Sequence, residues 1–206
     1  PVVFGIPFGP AAAWGIAIGN LISDLLSGSG AFICITGFII NFFYTYIPYK
    51  LWYTLRIGKE PIHPVRMNTV QEIVKYIVVV LIDSLITTVS LSLVFEAAGF
   101  QSFSSSFPLL FFNNFDFAII LGIPALSFWN RTRLGSVVPE YRENTKLQNH
   151  ARWLDLPLII IAVMGAFYFF YSHLQGGTVM NRSLAGGLLC VAVAGLLIYA
   201  FRPAEK

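Results

Sequence analysis

Apolar residues in this chain come in long unbroken runs separated by short polar stretches. Six runs reach the roughly 20 residues that a helix needs to cross a hydrocarbon core about 30 Å thick. They cover 9–27, 31–53, 71–98, 107–130, 153–172 and 183–201. A membrane barrel would instead show strictly alternating segments of about ten residues, and these runs do not alternate. The pattern predicts an all-α polytopic membrane protein with six transmembrane helices. Its first four spans would form a membrane core over 1–130, followed by a basic loop over 131–152 and an additional hairpin with its tail over 153–206.

The connections are of two kinds. Ser27 to Gly30, Gly99 to Ser106 and Ser172 to Arg182 are rich in Gly and Ser or nearly uncharged, whereas Thr54 to Val70 and Arg131 to Arg152 are charged. Twelve of the 13 Lys and Arg residues fall on the side of the charged loops and the C-terminal tail, and only Arg182 falls opposite. An excess of Lys and Arg in short loops marks the cytoplasmic face. The chain is therefore expected in the cell membrane with its C-terminus cytoplasmic and its Gly/Ser turns outside. Trp52, Trp129 and Trp153 fall at cytoplasmic helix ends, and Tyr44, Tyr46, Tyr49 and Tyr53 crowd the lower half of the second span, as an interfacial aromatic belt would.

Composition narrows the class further. Of 206 residues, 56% are hydrophobic and 11% charged, with a mean hydropathy of +0.72. A soluble domain carries about 25% charge, so soluble, disordered and disulfide-scaffold classes are excluded. The net charge of +3 reports topology, and no nucleic-acid partner is expected. Cys34 and Cys190 lie inside apolar runs and read as small hydrophobes. The chain opens on Pro1 and is already apolar, which suggests a piece of something longer.

Function should show where polar groups enter the membrane, because an ionisable side chain at mid-helix costs about 2.5–3.5 kcal/mol on insertion scales. Asn20, Ser23, Asp24 and Ser27 lie in the first span, Asn41 in the second, Asp83, Thr87 and Ser90 in the third, and Asn113, Asn114 and Asp116 in the fourth. At about 1.5 Å per residue, Asp83 falls near mid-membrane and the others mostly in the outer half. The last two spans hold almost none. An outward-opening polar pocket in the first four spans follows, with Asn20, Asp24, Asn41, Asp83, Thr87, Asn113 and Asp116 as ligand-binding candidates. The plainer alternative is a set of interhelical hydrogen bonds worth roughly 0.6 kcal/mol each. Asp83 and Asp116 would form an intramembrane acid pair only if folding brought them together. Glu96 is expected at the outer interface, simply solvated.

No phosphate-cradling glycine loop, HExxH or CxxC motif is present, and His63, His150 and His173 all lie in loops. No cofactor, metal site or catalytic residue is therefore expected. Small residues at four-residue spacing let helix backbones approach closely in lipid. Ala11, Gly15 and Gly19, with Ala13 and Ala17 beside them, form such rows in the first span, and Gly187 and Gly195 belong to one in the last. These faces suit either packing within the chain or docking to a separate membrane subunit.

The stretch Phe8-Gly9-Pro10-Ala11-Ala12-Ala13-Trp14-Gly15-Ile16-Ala17-Ile18-Gly19-Asn20-Leu21-Ile22-Ser23-Asp24, with Gly37-Phe38, Tyr46-Ile47-Pro48-Tyr49-Lys50-Leu51-Trp52, Asn113-Asn114 and Leu121-Gly122-Ile123-Pro124, resembles the substrate-binding (S) components of energy-coupling factor vitamin transporters. The likeness is closest to the queuosine-precursor branch and covers about 5–130. It implies a compact helical bundle that captures a vitamin-like solute from the outer side. A separate membrane subunit and paired ATPases would then power release. The match begins at what would be the third helix of that fold, so two N-terminal helices are expected to be missing. The family's coupling motif, two alanines four apart, belongs on its first helix; Ala13 and Ala17 have the spacing. Similar modules also head bacterial sensors. A non-catalytic accessory subunit of a larger membrane complex is the rival expectation.

Overall fold

Four helices follow one another, α1 (Val2–Leu26), α2 (Ala31–Thr54), α3 (Val70–Ala97) and α4 (Phe103–Arg131). The computed structural model of the chain describes residues 1–55, 65 and 67–131. The expected spans at 153–172 and 183–201 and the loop over 132–152 lie outside the described residues. Among those described, the architecture is all-helical, and each of the four helices is long and apolar enough to cross a bilayer. The protein is a multi-pass membrane protein.

The turns follow from local chemistry. At the end of α1, Gly28 adopts φ +73°, the Ser29 amide donates to the Asp24 carbonyl at 2.9 Å, and the chain leaves the helix. Gly99 repeats this at the end of α3, with φ +73° and the Phe100 amide donating to the Phe95 carbonyl at 2.9 Å. Both are left-handed glycine caps, conformations that a Cβ disfavours. α3 opens on a reciprocal cap. The Glu72 amide donates to Thr69 Oγ1 at 3.2 Å, while the Thr69 amide donates to Glu72 Oε2 at 3.0 Å.

α1 extends further back than expected, and it is two arms. Gly9 breaks it at φ 55° and ψ −132°. Proline disfavours the helical region for the residue before it and cannot donate to the preceding turn. Pro7, Pro48, Pro108 and Pro124 are tolerated inside helices, but at Pro10 the preceding residue is a glycine free to take the left-handed φ at which the helix breaks. Val3 lies against Gly122 and Phe8 packs edge-on against Trp129 at 5.3 Å, so the short arm runs alongside α4 in the direction of α4. Trp14 packs on Phe42 at 5.0 Å, while Gly5 abuts the Thr45 backbone. An unbroken helix would separate Gly5 from Trp14 by about 14 Å along its axis, against about 5 Å between Phe42 and Thr45. The chain therefore doubles back at Gly9, and only the long arm matches the expected span from 9 to 27. α4 also starts earlier than expected, at Phe103, because the Glu96 carboxylate accepts from the Phe103 amide at 3.3 Å. Glu96 is thus a cap rather than a merely solvated charge.

The core is aromatic. Phe42, Tyr46, Tyr49 and Tyr53 form a chain of ring contacts down α2, with centroids 5.7, 5.9 and 5.3 Å apart. Phe103, Phe107, Phe111 and Phe115 stack down α4 at 5.3, 5.9 and 5.5 Å. Tyr44, Tyr46, Tyr49 and Tyr53 are all buried, so the expected interfacial belt is turned into the bundle. Trp52 is buried too, with the Lys75 ammonium 4.7 Å from its ring centroid. Burying these rings against one another removes large apolar areas from the surroundings and adds about 0.5–1.5 kcal/mol per well-placed pair.

Candidate functional site

The polar groups of the four helices fall into three places. The first is where α1 meets α2 near the Gly/Ser turn. Asn20 Nδ2 donates to Asp24 Oδ2 at 2.8 Å, one helical turn away. A Cβ at Gly37 would stand 2.6 Å from that Nδ2 and 2.7 Å from that Oδ2, so the pair lies directly on the α2 backbone. Asn41 Nδ2 donates to the Gly37 carbonyl at 2.9 Å, and Thr45 Oγ1 donates to the Asn41 carbonyl at 2.9 Å. Glycine at 37 is what admits the pair. Asn20, Asp24 and Asn41 are brought together here, and each has a partner within the protein.

The second place is α3. Every residue from Asp83 to Val89 is buried. Asp83, Ser84, Thr87, Thr88 and Ser92 spread over one side of the helix at the spacings 83/87 and 84/88/92. Both carboxylate oxygens of Asp83 and the hydroxyls of Ser84, Thr87, Thr88 and Ser92 are buried without a hydrogen-bond partner. Tyr44 of α2 and Tyr76 of α3 lie within electrostatic reach of Asp83. Their hydroxyls are already committed: Tyr44 Oη donates to the Asn114 carbonyl at 3.4 Å and Tyr76 Oη to the Ala118 carbonyl at 2.7 Å. Tyr76 also fills the space beside Gly122, where a Cβ would collide with its hydroxyl.

The third place is the outer side of α4. Asn113 and Asp116 are exposed, on the same face as Leu109, Phe112, Phe117 and Ile120. Asp83 is enclosed and Asp116 is not, so folding gives the two aspartates different surroundings and assembles no acid pair between them.

The physical weight of these places differs. A buried polar atom left unsatisfied costs about 1–3 kcal/mol, and more if charged. Native proteins keep few of them, and those that persist tend to sit where something else completes them. α3 carries six such atoms on one face. Thr87 stands out from sequence through its spacing from Asp83. Ser84 does not, because one serine inside a Val/Leu/Ile run reads as a small core residue. Its signal is the four-residue row 84, 88, 92. Tyr44 and Tyr76 carry no signal at all, since their contribution depends on where α4 places its carbonyls. Among the described residues, no group of three or more His, Cys, Asp or Glu side chains is arranged to hold a metal ion.

The small-residue rows are sorted by folding as well. Ala13 and Ala17 are fully buried in the bundle. Ala11, Gly15 and Gly19 are exposed, and a Cβ at either glycine would meet nothing within 4 Å. Gly187 and Gly195 lie outside the described residues.

Comparison with known families matches residues 2–131 to the family described as QueT transporter. No curated protein and no solved structure matches the chain.

Proposed function

Since the chain belongs to the QueT transporter family, we propose that it is the solute-capturing component of an uptake system, taking a vitamin-like molecule of the queuosine-precursor kind from the outer side of the cell membrane. Its membership and its four apolar helices make it a membrane transporter protein for a small solute. The observation that carries the finer proposal is the α3 face, with six buried polar atoms unpartnered in the middle of a helix whose neighbouring residues are mostly Val, Leu and Ile. A bundle held only by interhelical hydrogen bonds would satisfy those groups, as it does Tyr76. A face that receives a solute leaves them open. Asp83 and Thr87 are its members from the sequence, and Ser84, Thr88 and Ser92 join them. The Asn20, Asp24 and Asn41 group would border it toward the outer turn. Asn113 and Asp116, on the far side of α4, would contribute only through a further element packed there.

Transport rather than catalysis fits a chain of this family, and no step calls for a cofactor. The exposed Ala11, Gly15 and Gly19 row supports docking of a separate membrane subunit on the long arm of α1. The same row would serve an accessory subunit of a different complex, so the partners discriminate. Affinity purification of the full chain from native membranes should bring down ATPase subunits if it works in uptake. A fixed complex without them would favour the accessory role. Solute capture is tested by denaturing the purified protein and identifying released small molecules by mass spectrometry. Recovery of no solute from protein purified out of rich medium, with no thermal response to a queuosine-precursor base, would overturn the assignment.

A further inference from the structure

We propose that Asp83 sets the specificity of the site, and that the solute it selects presents a protonated nitrogen, an ammonium or amidinium group, to the Asp83 carboxylate; this rests on the solute-binding function proposed above. The argument is one of donors and acceptors. Asp83 is fully buried and both its oxygens lack a hydrogen-bond partner. An ionised carboxylate only accepts. The two tyrosines within its electrostatic reach direct their O–H groups to the Asn114 and Ala118 carbonyls, which accept them. What they turn toward neighbours is oxygen lone pairs. The surroundings of Asp83 hold few donors: the Thr87 hydroxyl, one turn on, is the one that faces the carboxylate, and the Ser84, Thr88 and Ser92 hydroxyls are buried without partners.

No basic side chain pairs with this carboxyl group among the described residues. Lys75 lies eight residues earlier, about 12 Å along the helix, with its ammonium over the Trp52 ring. A group that brings both positive charge and several N–H donors completes such a site. An anionic group would be repelled, and a neutral acceptor would leave the carboxylate unpaired. Removing one partner of a buried charge pair is strongly unfavourable, so charge becomes the discriminating feature of the solute.

The test uses the full chain in detergent and two near-isosteric probes that differ in charge, benzylamine and benzyl alcohol, at millimolar concentration. Thermal unfolding should show stabilisation by benzylamine and little by the alcohol. Asp83→Asn should weaken the amine response at least about tenfold, equivalent to about 1.4 kcal/mol, and abolish the preference between the probes. Asp83→Glu, which keeps the charge, should retain that preference. Without any probe, Asp83→Asn should unfold no earlier than the parent, since it exchanges one unpartnered buried polar group for another; a residue that merely held the bundle would destabilise it when changed. Equal responses to the two probes, or no response to either, would overturn the charge assignment. So would recovery of a neutral or anionic solute from the purified protein, and that result would leave solute capture itself standing. Recovery of no solute together with no probe response would remove both.

Discussion

α3 and α4 are adjacent helices of 28 and 29 residues, each apolar enough to span, and each carries an aspartate near its middle. Yet 61% of the apolar window of α3 is buried, against 11% of that of α4. α3 turns its polar side chains inward and leaves them unpartnered, while α4 turns Asn113 and Asp116 outward among exposed leucine, isoleucine and phenylalanine. What α4 gives the core is its phenylalanine ladder and two backbone carbonyls that receive Tyr44 and Tyr76. The same residue types thus serve opposite ends. The inward aspartate is buried without a partner, which is what the proposed ligand would supply, and the outward one is exposed. The difference teaches that depth in the membrane is a weaker guide to a site than enclosure.

The comparison breaks first at the seam between the two helices. Gly122→Leu would drive a side chain into Tyr76. We expect a loss of about 1–3 kcal/mol, the usual cost of overpacking, measured by thermal or denaturant unfolding in detergent. An unchanged midpoint would mean that α3 and α4 do not meet there. A smaller effect of opposite sign is expected on the inner face. Thr88→Val removes an unpartnered hydroxyl at nearly constant volume, and should leave stability equal or raise it by about 1 kcal/mol. A clear loss would show that Thr88 is hydrogen-bonded within the protein. Tyr76→Phe deletes the hydrogen bond to Ala118 and should lower stability by about 1 kcal/mol. The smallest effect belongs to the outer face of α4, where Asp116→Asn should shift unfolding by no more than about 0.5 kcal/mol. A large shift would place Asp116 in a packed environment and erase the contrast with Asp83.

Sequence patterns reached different depths in different places. The four spans and the two glycine turns follow from run length and cap chemistry, which act within a few residues; the short arm before Gly9 was not legible, because only its packing against α4 and α2 reveals it. The polar group around Gly37 was half legible: Asn20 and Asp24 share a helix face, but their seat on α2 depends on the glycine opposite. Tyr44 to Tyr53 were misplaced to the interface because aromatic residues near a helix end suit either a belt or a core. Glu96 is exposed, as expected, but its acceptor role was not legible because it depends on where α4 begins.

By itself, then, the amino-acid sequence determined that this protein lives in a bilayer, roughly where its first four spans lie, and the family to which it belongs. The tertiary structure alone decided which face of each helix is inside. In water an apolar stripe would have announced that face, but lipid is as apolar as a protein core. A helix between them is apolar all round, and only packing distinguishes the enclosed Asp83 from the exposed Asp116.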